Sequence, residues 1–292
     1  MTPSAPGPLR FPVGAITDEF TPDIARALPA MAALGMTAAE LRVIDGTNII
    51  DLADDQIARV VDLVRTHHMS VVSIASPLLK CVLPDGPPLD DRFQQDVFAA
   101  KHTFDDQPRL THRAFEIAHM TGARIIRVFS YWRTTDPDRC FDRIADALSL
   151  LAVKAWDEGL IIGLENEHAC NIGTATELAR VLAAVDHPGL CAVWDPANAL
   201  IAGEQPFPAG YQALPSSRIV HVHAKDCVVN GHTPTWGLLG TMDVDWRGQI
   251  EALARDGYKG AITLETHWKG PNNDKFEAST LCGKELKRLV AS

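Results

Sequence analysis

The stretch Leu160-Ile161-Ile162-Gly163-Leu164-Glu165-Asn166-Glu167-His168 joins an apolar run directly to a group of charged and polar side chains. Residues 160–164 predict a short buried strand, and Glu165 would stand at its tip. Burying a carboxylate in such a place is costly unless a cation or hydrogen-bond donors compensate it. The end of this strand is therefore a candidate functional position.

Three later stretches repeat the same arrangement of an apolar run followed by a side chain that can bind a metal ion. They are Cys191-Ala192-Val193-Trp194-Asp195, Ile219-Val220-His221-Val222-His223 and Ala261-Ile262-Thr263-Leu264-Glu265. Four strand-like runs with the same ending call for one shared explanation. We interpret them as a metal site at one rim of a parallel barrel.

Short apolar runs alternate with amphipathic helical patterns along the whole chain. The predicted strands cover residues 13–17, 38–42, 71–75, 124–129, 160–164, 190–194, 219–224 and 261–265. The predicted helices cover residues 21–34, 53–67, 93 or 103 to 120, 138–158, 174–185, 245–256 and 276–290, with a loop at 201–215. Eight strands that alternate with helices predict an α/β fold, the (β/α)8 TIM barrel. The first strand is not followed by G-x-G-x-x-G, which argues against an open dinucleotide-binding sheet.

Length and composition fit one barrel domain over residues 1–292, with residues 1–11 as a flexible lead-in. The longest apolar runs are too short to cross a bilayer, and the start lacks the apolar core of a signal peptide. A net charge of −10 and the lack of a basic stripe disfavour a nucleic-acid partner. The six cysteines are scattered without a C-x-x-C pair, which indicates reduced thiols and a cytoplasmic protein.

Active sites of such barrels lie at the C-terminal ends of the strands, where four of the candidates converge. These residues close the fifth to eighth predicted strands: Glu165, Asp195, His223 and Glu265. Three carboxylates and one imidazole suit one divalent ion (Mn, Mg, Co or Zn) and leave positions open for substrate oxygens.

The motifs at these positions resemble those of a known superfamily. They are L-E-N at Glu165, W-D-P-A-N at Asp195, H-V-H-A-K-D at His223 and L-E-T-H at Glu265. Together with the opening T-D-E-F at residues 17–20, they are similar to the xylose-isomerase-like TIM barrel superfamily. Within it, the chain most resembles the sugar phosphate isomerase/epimerase group, which includes ketose 3-epimerases, hydroxypyruvate isomerases and inosose dehydratases.

The resemblance implies a metal-dependent isomerase or epimerase that acts on a small polyhydroxy carbonyl compound through an enediolate. It assigns the metal to the same four residues, and the proton transfers to Glu165 and Glu265. It also implies that His221 supports the site or contacts the substrate, because the second histidine of H-x-H is the ligand. A small sugar or polyol-derived substrate is the implied partner, and relatives are often homo-oligomers.

Further residues near this rim are candidate substrate contacts. Lys80, Arg42 and Arg133 could bind an anionic group, and His168 lies just beyond the tip of the fifth strand. Asn198 stands where the ketose 3-epimerases have a substrate-binding histidine, and Val229 replaces an arginine of those enzymes. The departures weaken the assignment to a free-ketose 3-epimerase.

Three alternatives remain beside the isomerase or epimerase reading. The same enolate can lose water, which allows a dehydratase of a keto-inositol or similar compound. A barrel that binds sugar without turnover is a second alternative. Relatives that cut abasic DNA use extra histidines on strands three and four, but Ser76 and Ser130 stand there, which argues against a nuclease.

Overall fold

The computed structural model describes residues 9–93 and 102–291 and shows a closed barrel of eight parallel strands. The strands are β1 (Val13–Ile16), β2 (Ala38–Leu41), β3 (Ser70–Ala75), β4 (Ile125–Val128), β5 (Ile161–Glu165), β6 (Leu190–Trp194), β7 (Ile219–Ala224) and β8 (Ile262–Leu264). Each strand pairs with the next in the sequence, and β1 pairs with β8 to close the barrel. The predicted (β/α)8 fold is confirmed.

Helices follow the strands and cover the outside of the barrel. They are α1 (Ile24–Ala33), α2 (Asp54–Thr66), α3 (Gln107–Thr121), α4 (Phe141–Asp157), α5 (Ala175–Val185), α6 (Pro196–Ile201), α7 (Trp246–Arg255) and α8 (Lys275–Val290). Short antiparallel pairs join Val43–Ile44 to Thr47–Asn48 and Cys227–Asn230 to Thr233–Trp236. Helix α6 was not predicted, because it is short and its proline at the first position resembles a loop signal.

The N-terminal prediction needs a correction. Residues 1–8 of the predicted lead-in lie outside the described residues, but residues 9–11 are packed and not flexible. Leu9 pairs with Ala291, and the buried Phe11 ring lies 5.5 Å from the ring of Tyr258.

The third helix was predicted to begin at residue 93 or at residue 103. Residues 94–101 lie outside the described part of the chain, and α3 begins at Gln107.

The hydrophobic core lies between the barrel and its helices. Helix α2 buries Ile57, Val60, Val61 and Val64, the face that its periodicity predicts. All six cysteines are buried and free, as expected for reduced thiols. Among the described helices, none is long and apolar enough to cross a membrane.

Gly163 lets β5 lie close to its neighbours just below Glu165. Gly163 and Glu165 are two positions apart on one strand, so a side chain at position 163 would point to the same side of the sheet as the side chain of Glu165. A Cβ atom at Gly163 would lie 2.7 Å from Val193 Cγ2 and 3.1 Å from Ile125 Cγ2. The strand that carries Glu165 therefore needs a residue without a side chain at this position.

We predict that Gly163→Ala lowers the free energy of unfolding by about 1–3 kcal/mol, because its methyl group overpacks the barrel interior. Val193→Ala removes the closest atom, so the double variant should lose less stability than the sum of the two single variants. Urea denaturation of the four proteins measures this coupling. Additive losses would contradict the proposed contact.

Candidate metal centre

Four side chains meet at the C-terminal mouth of the barrel. One ligand atom from each lies within 4.8 Å of the other three, and all four side chains are buried. The residues are Glu165, Asp195, His223 and Glu265. The structure therefore brings together the four residues that the sequence predicts as ligands.

Glu165 ends β5 and is held through both of its oxygens. Its Oε2 accepts a hydrogen bond from Arg127 Nη1 at 2.8 Å, and its Oε1 accepts one from Asn198 Nδ2 at 3.2 Å. The same Oε1 lies 3.2 Å from His223 Nδ1. These contacts fix the carboxylate so that one oxygen faces the histidine.

Asp195 and Glu265 share one buried ammonium group. Lys225 Nζ lies 2.8 Å from Asp195 Oδ2 and 2.7 Å from Glu265 Oε2. The remaining oxygen of Glu265 accepts from Arg42 Nη1 at 3.1 Å. Asp195 also caps α6 by accepting the Asn198 backbone N–H. Lysine and arginine thus supply the positive charge that buried carboxylates require.

The carboxylate of Glu40 orients the imidazole ring of His223. Its Nε2 lies 3.0 Å from Glu40 Oε2, and its Nδ1 faces Glu165 and Glu265 at 3.2 and 3.5 Å. A carboxylate only accepts hydrogen bonds, so Nε2 donates to Glu40. Nδ1 faces the cluster and becomes available to a metal once it has lost its proton.

Burial raises the pKa of each carboxyl in the cluster, and the neighbouring charges decide whether the pKa finally lies above or below its usual value. At Glu165 the charges of His223 and Arg127 outweigh burial and lower the pKa to about 2. At Glu265, burial is outweighed by Lys225 and His223, which hold the pKa well below its usual range. At Asp195 burial prevails over Lys225 and raises the pKa to about 7. Glu165 and Glu265 are therefore ionised at neutral pH.

Two of the predicted substrate contacts line a pocket next to the cluster. The pocket has about 400 Å³ of space, part of it open to solvent. Lys80 and Arg42 line it, together with Glu265. His168 and Asn198 lie beside the cluster, where His168 Nδ1 is 2.9 Å from Asn198 Oδ1. Asn198 thereby connects His168 to Glu165.

The other two predicted contacts lie elsewhere. His221 is fully buried, and its Nε2 contacts Glu40 Oε2 at 2.9 Å and Thr263 Oγ1 at 2.8 Å. Arg133 binds Glu177 and backbone carbonyls outside the pocket lining. His221 therefore supports the Glu40 network, which is one of the two roles that the sequence allows, and the substrate contact of Arg133 stays a prediction.

Sequence reasoning missed two residues that the structure places beside the predicted ligands, namely Glu40 and Arg127. Each is a charged residue inside an otherwise apolar strand, β2 for Glu40 and β4 for Arg127. A charge within a fully buried strand was the signal that could have identified them.

Comparisons with known proteins agree with this geometry. A family model described as xylose isomerase-like TIM barrel matches residues 28–286. The chain belongs to this family. The match confirms the resemblance found in the motifs, whereas a search of curated proteins gave no significant match.

Solved structures of this kind share the fold at low sequence identity. The IOLI protein with a bound zinc atom aligns with a TM-score of 0.73 and 15% identity, covering 96% of this chain and 98% of that chain. A probable 3-DHS dehydratase, AsbF, from Bacillus anthracis gives 0.71 and 16%, covering 94% and 98%. A D-allulose 3-epimerase from Methylomonas sp. gives 0.69 and 19%, covering 98% and 100%.

We predict that Glu40→Gln weakens the binding of Mn²⁺ by about 10–100-fold, because the neutral amide no longer orients His223 and no longer raises its basicity. Isothermal titration of the metal-free protein with Mn²⁺ measures the dissociation constant. Glu116→Gln, on an exposed part of α3, is the matched control. An unchanged affinity in a folded Glu40→Gln protein would contradict the positioning role.

Proposed function

We propose that this protein is a divalent-metal-dependent sugar isomerase or epimerase that acts on a small polyhydroxy carbonyl compound. The observation that carries the proposal is the convergence of the three carboxylates and one imidazole beside an open pocket. Family membership supports the same reaction class.

The donor set fits one divalent ion. The four side chains that would hold it are Glu165, Asp195, His223 and Glu265. Oxygen and nitrogen donors in this ratio suit Mn²⁺, Mg²⁺, Co²⁺ or Zn²⁺, and the zinc in the structure of the IOLI protein supports such an ion. When bound, the ion would polarise a carbonyl and its neighbouring hydroxyl.

The protein's own carboxylates would move the proton. Glu165 and Glu265 stand at the ends of β5 and β8, with Asp195 and His223 on the two strands between them. One ionised carboxylate would take the proton from the carbon beside the carbonyl. The resulting enediolate would then regain a proton either from that same carboxyl group or from the other one, after the other has taken up a proton from solvent. Since both are ionised at neutral pH, either can accept a proton.

The positions of the two carboxylates are fixed by arginines. Arg127 holds Oε2 of Glu165, and Arg42 holds Oε1 of Glu265. A carboxylate with a low pKa is a weak base, so its reactivity depends on being held against the reacting carbon. The arginines supply this positioning and stabilise the charge of the buried carboxylates.

The pocket supports a small substrate. The space of about 400 Å³ includes open solvent, so the side chains that line the pocket indicate the kind of ligand better than its volume does. The aromatic ring of Phe129 and the imidazole of His267 lie in its wall, among charged side chains. Such a lining suits a compound of a few carbon atoms with several hydroxyl groups.

The proposal also includes two expectations from the sequence analysis. They are a cytoplasmic location and a homo-oligomeric state.

We predict that the metal-loaded protein exchanges the proton next to the carbonyl of its substrate with solvent. A panel of ketoses and keto-inositols in D₂O would show this as incorporation of one deuterium by NMR and mass spectrometry. Glu265→Gln should reduce the exchange rate by at least about 100-fold, because one of the two proton carriers is lost.

Metal content is measured in the same samples, so that a loss of the ion is distinguished from a loss of proton transfer. Glu251→Gln, an exposed position on α7, should exchange at the unaltered rate. Loss of water from the substrate in place of isomerisation would identify a dehydratase. Bound metal without exchange on any compound of the panel would favour a barrel that only binds sugars.

A further inference from the structure

The outer side of α4 carries a cluster of exposed apolar side chains. Of the six large hydrophobic side chains that are exposed in the described part of the chain, three lie on the second half of this helix. Leu150 is 58% exposed, Val153 43% and Trp156 50%. A single exposed leucine is ordinary, but a cluster marks a surface that another molecule covers. A groove between α3 and α4, with Phe104 and Phe115 in its wall, adjoins Leu150 and extends this surface.

Charged side chains flank Leu150 on both sides along the same face of α4. An α-helix turns by about 100° per residue, so positions three, four and seven residues away from Leu150 lie within about 60° of it. These positions are occupied by Arg143, Asp146, Ala147, Val153, Lys154 and Asp157. Apart from the half-buried alanine, all of them are exposed. The face therefore has an apolar centre with an acid and a base on each side.

A two-fold axis through Leu150 would pair each of these charges with an opposite charge. In two antiparallel copies of α4 related by such an axis, every residue faces the one that lies equally far on the other side of Leu150. Lys154 of one copy then faces Asp146 of the second copy. Asp157 likewise faces Arg143. The axis repeats both pairs, so ion pairs flank the apolar centre at both ends.

The order of the charges distinguishes a second copy of this chain from other partners. In a parallel pair of helices each charge would face its own copy, so that Lys154 would meet Lys154 and repel it. An unrelated protein would require no relation between the charges before Leu150 and those after it. The face is complementary to itself only in the antiparallel arrangement, which is the property of an isologous interface.

Arg143 can join such a pair although it also contacts its own chain. Its Nη1 donates to the carbonyl oxygen of Pro84 at 2.5 Å. A guanidinium carries five N–H donors, so the others can bind a carboxylate of the second copy. The contact with Pro84 also restricts the side chain, which reduces the conformational entropy that an ion pair costs.

We propose that α4 forms the centre of a homodimer, in which it packs antiparallel against α4 of a second copy around a two-fold axis at Leu150. Leu150 and Val153 leave water in this contact, and the charges on either side set the register of the two helices. The contact lies on the outer side of the barrel and is independent of the proposed reaction. It gives the expected homo-oligomeric state a definite surface.

The mass of the protein in solution tests whether the contact exists. Sedimentation velocity of the full chain should show a particle with twice the 31.8 kDa mass of one chain. Leu150→Glu places two like charges at the axis and should raise the dissociation constant of the dimer by at least about 100-fold. Val228→Glu makes the same kind of change at an apolar position that is 39% exposed and should leave the constant unaltered.

An exchange of charges tests the antiparallel register. Lys154→Asp should weaken the dimer by about tenfold, because the axis converts two ion pairs into two repulsions. Asp146→Lys should have a similar effect, whereas the double variant restores the opposite charges and should recover most of the affinity. Positions 146 and 154 are about 12 Å apart along one helix, so this rescue reports a contact between copies.

Circular dichroism of each variant shows whether it is folded, and the charge variants decide the matter if Leu150→Glu is not. A tetramer that Leu150→Glu divides into dimers would also support the contact. A monomer at every concentration would overturn the proposal. So would a folded Leu150→Glu protein with an unaltered dimer, or a double variant that dissociates as readily as Lys154→Asp.

Discussion

The barrel mouth depends on the pairing of buried carboxylates with buried cations. Glu165, Asp195 and Glu265 are 0–4% exposed, and an unpaired charge in such a place would be strongly destabilising. Arg127, Lys225 and Arg42 provide the pairing across the barrel. Because these partners come from other strands, the site exists only when the barrel is closed.

The same ion pairs keep Glu165 and Glu265 in the ionised form that the proposed chemistry needs. The cations lower the pKa of Glu165 and Glu265 despite burial, so that both carboxylates are ionised. An ionised carboxylate is ready to bind a metal or to accept a proton. Lys225 lies between two of the candidate ligands, and a bound ion would share or replace its role there. The protein thus keeps Glu165 and Glu265 charged although both are buried.

The sequence predicted the barrel and indicated the four residues that meet at its mouth, because both follow from local patterns. Strand tips are recognisable where an apolar run ends in a charged residue, as at Glu165. Partners across the barrel are not recognisable in this way. Glu40 and His221 are 181 positions apart in the sequence, and only the closure of the barrel brings them within 2.9 Å. The same reason explains why Arg127 was missed.

The proposed function requires that the four side chains at the ends of β5 to β8 bind one divalent ion. The most direct measurement is a crystal structure of the Mn²⁺-loaded protein with anomalous scattering data. We predict one anomalous peak about 2.0–2.3 Å from Nδ1 of His223 and from oxygens of Glu165, Asp195 and Glu265. An ion bound elsewhere, or this position without an ion while Lys225 still joins Asp195 to Glu265 at saturating Mn²⁺, would contradict it.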